Sequence, residues 1–417
     1  MNTPVEPDLL QSKLARAWID LFRAVAIAQV VVFHVLFAVA RFAPKEAIPG
    51  FIDRLPGALN VFWEPVGVDA IFVVSAFLLT RGLLANASTG FPANLRVYAI
   101  KRLSRILPLY YVALAFYALV EGPSWQSIIL SAFFLGHTLS DTNVIPVGWS
   151  MEVMVLVYLA LPFVVFWLAR SRRPLLWLTV LLLISVAVRF LAIAMDDTDL
   201  TLFFARIVAI GDIPTITSEL YYRPWHRLSP FVIGVALGFL CMPGSRAYLA
   251  MKRSRLSRNV LVMTGLAVLI ALNWLPIQRT EASWNLTRYD WVATWYLGGA
   301  YAVSSLAVAM ILAGLVTTQD GQARFAEMKV FGLLSRNIFA IYLFHFPCIL
   351  VAAIIVFATA RRAELEIAFG QANVGQIVAI SVVALAISLT IAIPITKYLE
   401  VAPQNWLRRR FMSEQNP

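Results

Sequence analysis

Charge is scarce in this chain. Only 14% of its 417 residues are Asp, Glu, Lys or Arg, against about 25% in an ordinary soluble domain. Cysteine is scarcer still. Cys241 and Cys348 lie far apart in separate apolar runs, which argues against a disulfide framework or a thiolate metal centre. Four histidines are present, His34, His137, His226 and His345, and none stands at a metal-ligand spacing such as HExxH, so no metal is expected. No internal repeat, low-complexity linker or appended soluble domain is evident. No cleavable signal peptide is recognised before the first apolar run, which follows a mixed-charge tail.

What the chain has instead is hydrocarbon. Sixty per cent of its residues are hydrophobic, and the mean hydropathy is +0.77. The expectation is an all-α integral membrane bundle. Apolar segments fall near 20–41, 62–80, 106–121, 148–169, 174–195, 228–242, 259–277, 294–317, 335–358 and 375–397, giving about ten transmembrane helices. A further run, 126–138, is short for a span of about 20 residues and reads as a re-entrant or interfacial helix. A net charge of +11 would suggest nucleic acid in a soluble protein. Here the positive-inside rule accounts for it, and no nucleic-acid partner is expected. With both termini cytoplasmic, inside segments carry 21 Lys and Arg residues and outside loops 9. The expected parts are a cytoplasmic tail over 1–18, a membrane domain over 19–403 and a basic cytoplasmic tail over 404–417. The longest outer loop, about 196–227, carries SELYYRPWHR and is the candidate external lid or acceptor surface.

The first apolar run holds the most informative polar residues. Asp20, Arg23 and His34 lie on a segment that otherwise reads AVAIAQVVVF. His34 is eleven residues after Arg23, which at about 100° per residue returns to nearly the same face about 16 Å further on. Ionisable groups inside a bilayer are costly, and they mark functional sites by default. The plain alternative is a buried His that only hydrogen-bonds across a bundle. The ordinary pKa of His, about 6.5, suits it to the role of a general base. Asp20 lies about 21 Å from His34 along the helix, so no Ser-His-Asp triad exists within it.

Several segments together resemble the family-three membrane acyltransferases. They are IDLFRAVAIAQVVVFH (19–34), GVDAIFVVSAFLLT (67–80), KRLSRILPLYY (101–111), GWSMEVMVLVYLALP (148–162), SRNIFAIYLFHFP (335–347) and the closing Glu400 with Pro403. The correspondence runs from about Ile19 to Pro403. It implies transfer of an acyl group, acetyl first among them, from cytoplasmic acyl-CoA to a hydroxyl of an extracytoplasmic carbohydrate, by a multi-pass protein of the bacterial inner membrane. Acetyl-CoA or another acyl-CoA is then the donor. His34 would be the catalytic residue, supported by Arg23, and Lys101, Arg102 and Arg105 would meet the CoA phosphates. The chain departs from the family pattern in three places. Ser75-Ala76-Phe77 replaces its Ser-Gly-Phe, Lys101 stands where Arg is common, and Met154 holds the position of its Glu. Glu152, two residues earlier, is the remaining acid there and joins the catalytic candidates.

The substrate-binding candidates are Asp69, Ser75, Trp149, Ser150, Tyr342 and His345. Each has a plainer reading. Asp69 could contact acceptor hydroxyls or be a solvated helix-end residue. Ser75 lacks a GxSxG elbow and reads more readily as a packing hydroxyl than a nucleophile. Trp149 could stack on a sugar or anchor the interface. His345, with Tyr342 one turn away, could face His34 in a central cavity or sit satisfied in the core. Arg189 could snorkel towards the outer surface. Two mechanisms stay open: His34 as base for direct attack, or a covalent acyl-His. Two other classes compete with the enzyme, a proton-coupled secondary transporter and a membrane partner in glycan assembly. Against the transporter, no inverted repeat or paired broken helices are visible.

Overall fold

The computed structural model of the protein describes residues 12–42, 66–85, 91–196, 215–274, 290–318 and 325–412. The expected outer loop 42–61, most of the 196–227 and 278–293 loops, and the extreme ends of both tails lie outside the described residues. Among the described residues there is no strand. Nine helices among the described residues are long and apolar enough to cross a bilayer.

Helix α1 spans Lys13–Phe42. Neither Gly nor Pro interrupts its thirty residues, so it runs about 45 Å. Ala15, Ile19, Ala26, Ile27 and Val30 bury one side of it. Helix α2, Val66–Ala85, packs along this side. Its Gly67 N–H, one of the donors a helix start leaves orphaned, is taken up by Gln29 Oε1 at 2.7 Å. The helices touch here, since a Cβ on Gly67 would fall 2.5 Å from the Ala26 carbonyl oxygen.

Helix α3 covers Phe91–Glu121, followed by the short α4 (Trp125–Ala132) and α5 (Gly136–Leu139). Eight residues reach about 12 Å, so the 126–138 run is no span. Phe134 turns the chain at φ 58°. Two α3 tyrosines bond carbonyls at the end of α4: Tyr110 donates to Ser131 O at 2.7 Å and Tyr111 to Ala132 O at 3.0 Å. Helices α6 (Gly148–Arg170) and α7 (Pro174–Ala194) follow, then α8 (Thr215–Tyr222) and a 3-10 turn over Pro224–Arg227.

The expected span at 228–242 is a twelve-residue helix, α9 (Ser229–Leu240). It is about 18 Å long, with Pro230 in its first turn and Gly244 at φ 80° just beyond its end. That length falls below what a span needs, so this segment is not one of the candidate spans among the described residues. The helix is sunk into the bundle instead. Gly234 and Gly238 form a small-xxx-small face on which α2 lies. A Cβ at Gly234 would meet Val73 O at 2.4 Å, and one at Gly238 would meet Thr80 Cγ2 at 2.7 Å.

The remaining helices are α10 (Arg246–Arg253), α11 (Arg255–Trp274), α12 (Asp290–Val316), α13 (Lys329–Arg336), α14 (Ile338–Phe357), α15 (Arg362–Gly370) and α16 (Val374–Ile395). Helix α16 passes through a π turn, Thr396–Val401, into α17 (Ala402–Met412). Two helix-interior prolines leave a carbonyl four residues back without its amide, and a tyrosine from α3 fills each vacancy. Pro162 of α6 frees Tyr158 O, which receives Tyr98 Oη at 3.0 Å, and Pro347 of α14 frees Leu343 O, which receives Tyr117 Oη at 3.0 Å.

Candidate active site

The polar stripe of α1 is engaged at three levels. Asp20 Oδ1 accepts the Ser335 hydroxyl at 2.5 Å, where α13 meets α1. Arg23 faces a cavity. His34 meets α14.

The cavity has a volume of about 210 Å³ between α1, α2, α3, α6 and α14. Arg23, Arg102 and Arg105 supply its basic wall, beside Tyr158. Arg105 Nε is 2.9 Å from Glu400 Oε1, so the π turn reaches the same wall. Arg23 also stands within electrostatic reach of Asp20, Arg105, Glu400 and Tyr158. Eight residues earlier on α6, about 12 Å away, Ser150 and Tyr342 line the cavity. Tyr342 Oη donates to Ser150 Oγ at 2.6 Å, and Ser150 Oγ donates to Val147 O at 2.8 Å. Between the two ends the walls are apolar, with Ile71, Phe72, Met151, Met154 and Phe339 joined by Ser75.

One turn of α14 beyond Tyr342, His345 is fully buried and its Nε2 lies 3.0 Å from His34 Nδ1. His34 Nδ1 is also 2.9 Å from Val30 O, and His345 Nδ1 is 2.7 Å from Tyr342 O. Phe33 and Phe346 pack on the His34 ring at centroid distances of 5.0 and 4.7 Å. Neither histidine is among the residues lining the cavity. Tyr342 links the two sites, lining the cavity and binding His345 with its carbonyl.

Sequence reasoning therefore brought Arg23, Ser75, Arg102, Arg105, Ser150 and Tyr342 to one cavity, and His34 to His345. Four other candidates lie elsewhere. Lys101 does not line the cavity. Glu152 is buried away from it and holds α5 in place. Its carboxylate accepts His137 N–H at 2.9 Å and Thr138 N–H at 2.7 Å, and the Thr138 hydroxyl as well. Asp69 is neither a solvated helix end nor open to an acceptor. It is 1% exposed and pairs with Arg227 Nη2 at 2.6 Å. Trp149 is buried too, against Phe72, Tyr221, Tyr222 and the Arg227 guanidinium, so it is neither an interfacial anchor nor an open stacking platform. Arg189 does not snorkel. It is buried, and it donates to Leu297 O at 3.0 and 2.5 Å and to Leu220 O and His226 O at 2.8 Å.

A second polar cluster joins the short elements outside the spans. Arg223 donates to His137 O and to Asp141 and Glu219, and His137 stacks on Tyr222 at 4.8 Å. Burial and then Arg223 lower the His137 pKa to about 4, against the pull of Asp141. Burial, then Arg189 and Arg223, lower His226 to about 4 as well. Sequence reasoning missed the Glu400–Arg105 and Asp69–Arg227 pairs, whose partners are far apart in the chain. Among the described residues no three His, Cys, Asp or Glu side chains gather as metal ligands.

Residues 16–393 match the family described as acyltransferase domain. The chain is 22% identical over 314 residues to O-acetyltransferase OatA of Staphylococcus aureus (strain NCTC 8325 / PS 47), covering 70% of this chain and 47% of OatA. It is 24% identical over 353 residues to SACOL0978 of S. aureus strain COL, covering 79% of this chain and 50% of that protein. The chain thus spans about half the length of these curated relatives. No solved structure matches it.

Proposed function

The chain belongs to the acyltransferase-domain family, and from that premise we propose that it is a membrane O-acyltransferase. It takes an acyl group, acetyl first, from cytoplasmic acyl-CoA and passes it to a hydroxyl of an extracytoplasmic carbohydrate, in a bacterial inner membrane with both termini cytoplasmic. One observation carries this reading. A 210 Å³ cavity has three arginines at one end and paired hydroxyls about 12 Å away, with an intramembrane histidine pair one helical turn further on.

The chemistry follows from that order. Guanidinium groups recognise phosphate with paired, charge-assisted hydrogen bonds. Arg23, Arg102 and Arg105 would receive the phosphates of the donor, with Lys101 adding positive charge from the same turn of α3. The apolar walls would take the acyl arm, and Ser75, Ser150 and Tyr342 would meet its polar atoms. His34 acts as the base. It removes the acceptor hydroxyl proton as that oxygen attacks the thioester carbonyl carbon. The new C–O bond forms, the C–S bond breaks, and the thiolate takes the proton from His34 to leave as free CoA. Glu152 and Asp69 have no part in these steps, because their carboxylates are committed to α5 and to Arg227.

The test compares surface glycan from cells expressing wild type or His34→Ala, by mass spectrometry before and after mild alkali. An alkali-labile acyl mass found only with wild type is expected, and it would identify the group transferred. An equal acyl mass in both strains would remove His34 from the chemistry. No acyl mass in either would sink the acyl-transfer reading for that acceptor.

A further inference from the structure

The proton count of the histidine pair fixes more than proximity. Carbonyl oxygens only accept hydrogen bonds. His345 Nδ1 lies 2.7 Å from Tyr342 O, so this nitrogen carries a proton. A neutral His345 then has a bare lone pair on Nε2, the atom 3.0 Å from His34 Nδ1. His34 Nδ1 in turn has two acceptors around it, that lone pair and Val30 O at 2.9 Å. Only a proton on His34 Nδ1, shared between them, satisfies every contact with both rings neutral. The opposite arrangement sets the His34 Nδ1 lone pair against the Val30 carbonyl. It also demands a doubly protonated His345 at a position with no solvent exposure, and burying an uncompensated cation is expensive.

We propose that His345 is a positioning residue: its Nε2 lone pair keeps the His34 proton on Nδ1 and so makes His34 Nε2 the basic nitrogen. This rests on the reading of His34 as base and adds what orients it. The arrangement performs the task that a carboxylate performs in a hydrolase triad, where the third group holds the imidazole in one tautomer. Here a second imidazole does so, held by a backbone carbonyl of its own helix. When His34 Nε2 takes the acceptor proton, the Nδ1 proton stays on His34, held between Val30 O and the His345 Nε2 lone pair. When the thiolate recovers the proton from His34 Nε2, the pair is neutral again. No oxidant or further reactant enters.

The test uses the full-length protein in nanodiscs, labelled with 15N-histidine. With four histidines in the chain, the spectrum is small, and a His34→Ala sample assigns the signals of interest. A neutral His34 protonated at Nδ1 is expected, whereas a neutral histidine side chain in water prefers the proton on Nε2. A proton found on His34 Nε2 would overturn the proposal. In cells, at matched protein levels, glycan acyl content supplies the second readout. His345→Leu should fall to about one-hundredth of wild type, the usual scale of general-base catalysis. His345→Gln, whose amide oxygen can accept from Nδ1, should recover at least tenfold over Leu. Wild-type acylation by His345→Leu, or no recovery by Gln, would refute the positioning role while leaving His34 as base. Acylation by His34→Ala would instead fell the base reading and this inference with it. Should His345→Leu fail to fold, the wild-type spectrum alone decides.

Discussion

Arg105 Nε stands 2.9 Å from Glu400 Oε1, a contact that ties the basic wall of the cavity to the π turn near the far end of the chain. The carboxylate engages Nε and holds the guanidinium at the cavity wall. Hydrogen bonds to charged groups contribute about 1.5–3 kcal/mol. Glu400→Ala should therefore raise the apparent KM for acyl-CoA about tenfold or more and leave kcat within about twofold. Steady-state kinetics on purified protein decide it. A fall in kcat at unchanged KM would detach Glu400 from donor binding.

Asp69 and Arg227 form a different sort of pair, closed off among Trp149, Tyr221 and Tyr301. Removing one member of such a pair strands the other charge and costs about 3–5 kcal/mol. Asp69→Ala should lower the melting temperature of the detergent-solubilised protein markedly. Asp69→Leu combined with Arg227→Met should recover most of the loss, since apolar replacement of both partners is often neutral. If the double variant melts below Asp69→Ala, the pair has a role beyond charge compensation.

Pro347 and Tyr117 allow a double-mutant cycle. Tyr117→Phe leaves Leu343 O without a partner inside the bundle, at about 1–3 kcal/mol. In a Pro347→Ala background the restored amide can reach that carbonyl. The same Tyr117→Phe change should then cost less than about half as much. Additive losses in thermal melts would show that the hydroxyl serves some other purpose.

The cluster around Arg223 makes stability depend on pH. His137 and His226 titrate at about 4 in the folded protein, against about 6.5 for an unperturbed imidazole. Above pH 6.5 neither state binds protons at these sites. Between 6.5 and 4 the unfolded chain binds protons that the folded one refuses, so stability falls with pH across that window. The groups facing them are Arg223, Asp141 and Tyr222 for His137, and Glu219, Arg189 and Arg223 for His226. Melting temperature should drop from pH 7 to pH 4.5, and His137→Asn with His226→Asn should flatten the decline. A curve that is flat with both histidines present would contradict the sign.

Local order in the sequence made part of this legible. Asp20, Arg23 and His34 share one helix, so simple angular arithmetic aligned them, and all three meet partners on that face. The spacing of Tyr342 and His345 worked for the same reason. Pairings across the fold could not be read that way. Nothing near Asp69 announces Arg227, 158 residues later, and nothing near Glu152 marks it as the acceptor for α5. Hydropathy could not show that the helix at 228–242 is only twelve residues long, because a buried helix in the middle of a membrane bundle is as apolar as one that crosses it.

The glycine face of α9 has a consequence for how the protein is made. Twelve residues are too few to hold a place in lipid by themselves, so α9 depends on α2 for its seat. Helix α2 leaves the ribosome about 150 residues earlier. Until α9 emerges, the groove along Val73, Ala76 and Thr80 that its glycines fill faces acyl chains instead. Biosynthesis must therefore hold the first helices loosely and close the bundle only after the middle of the chain has been delivered.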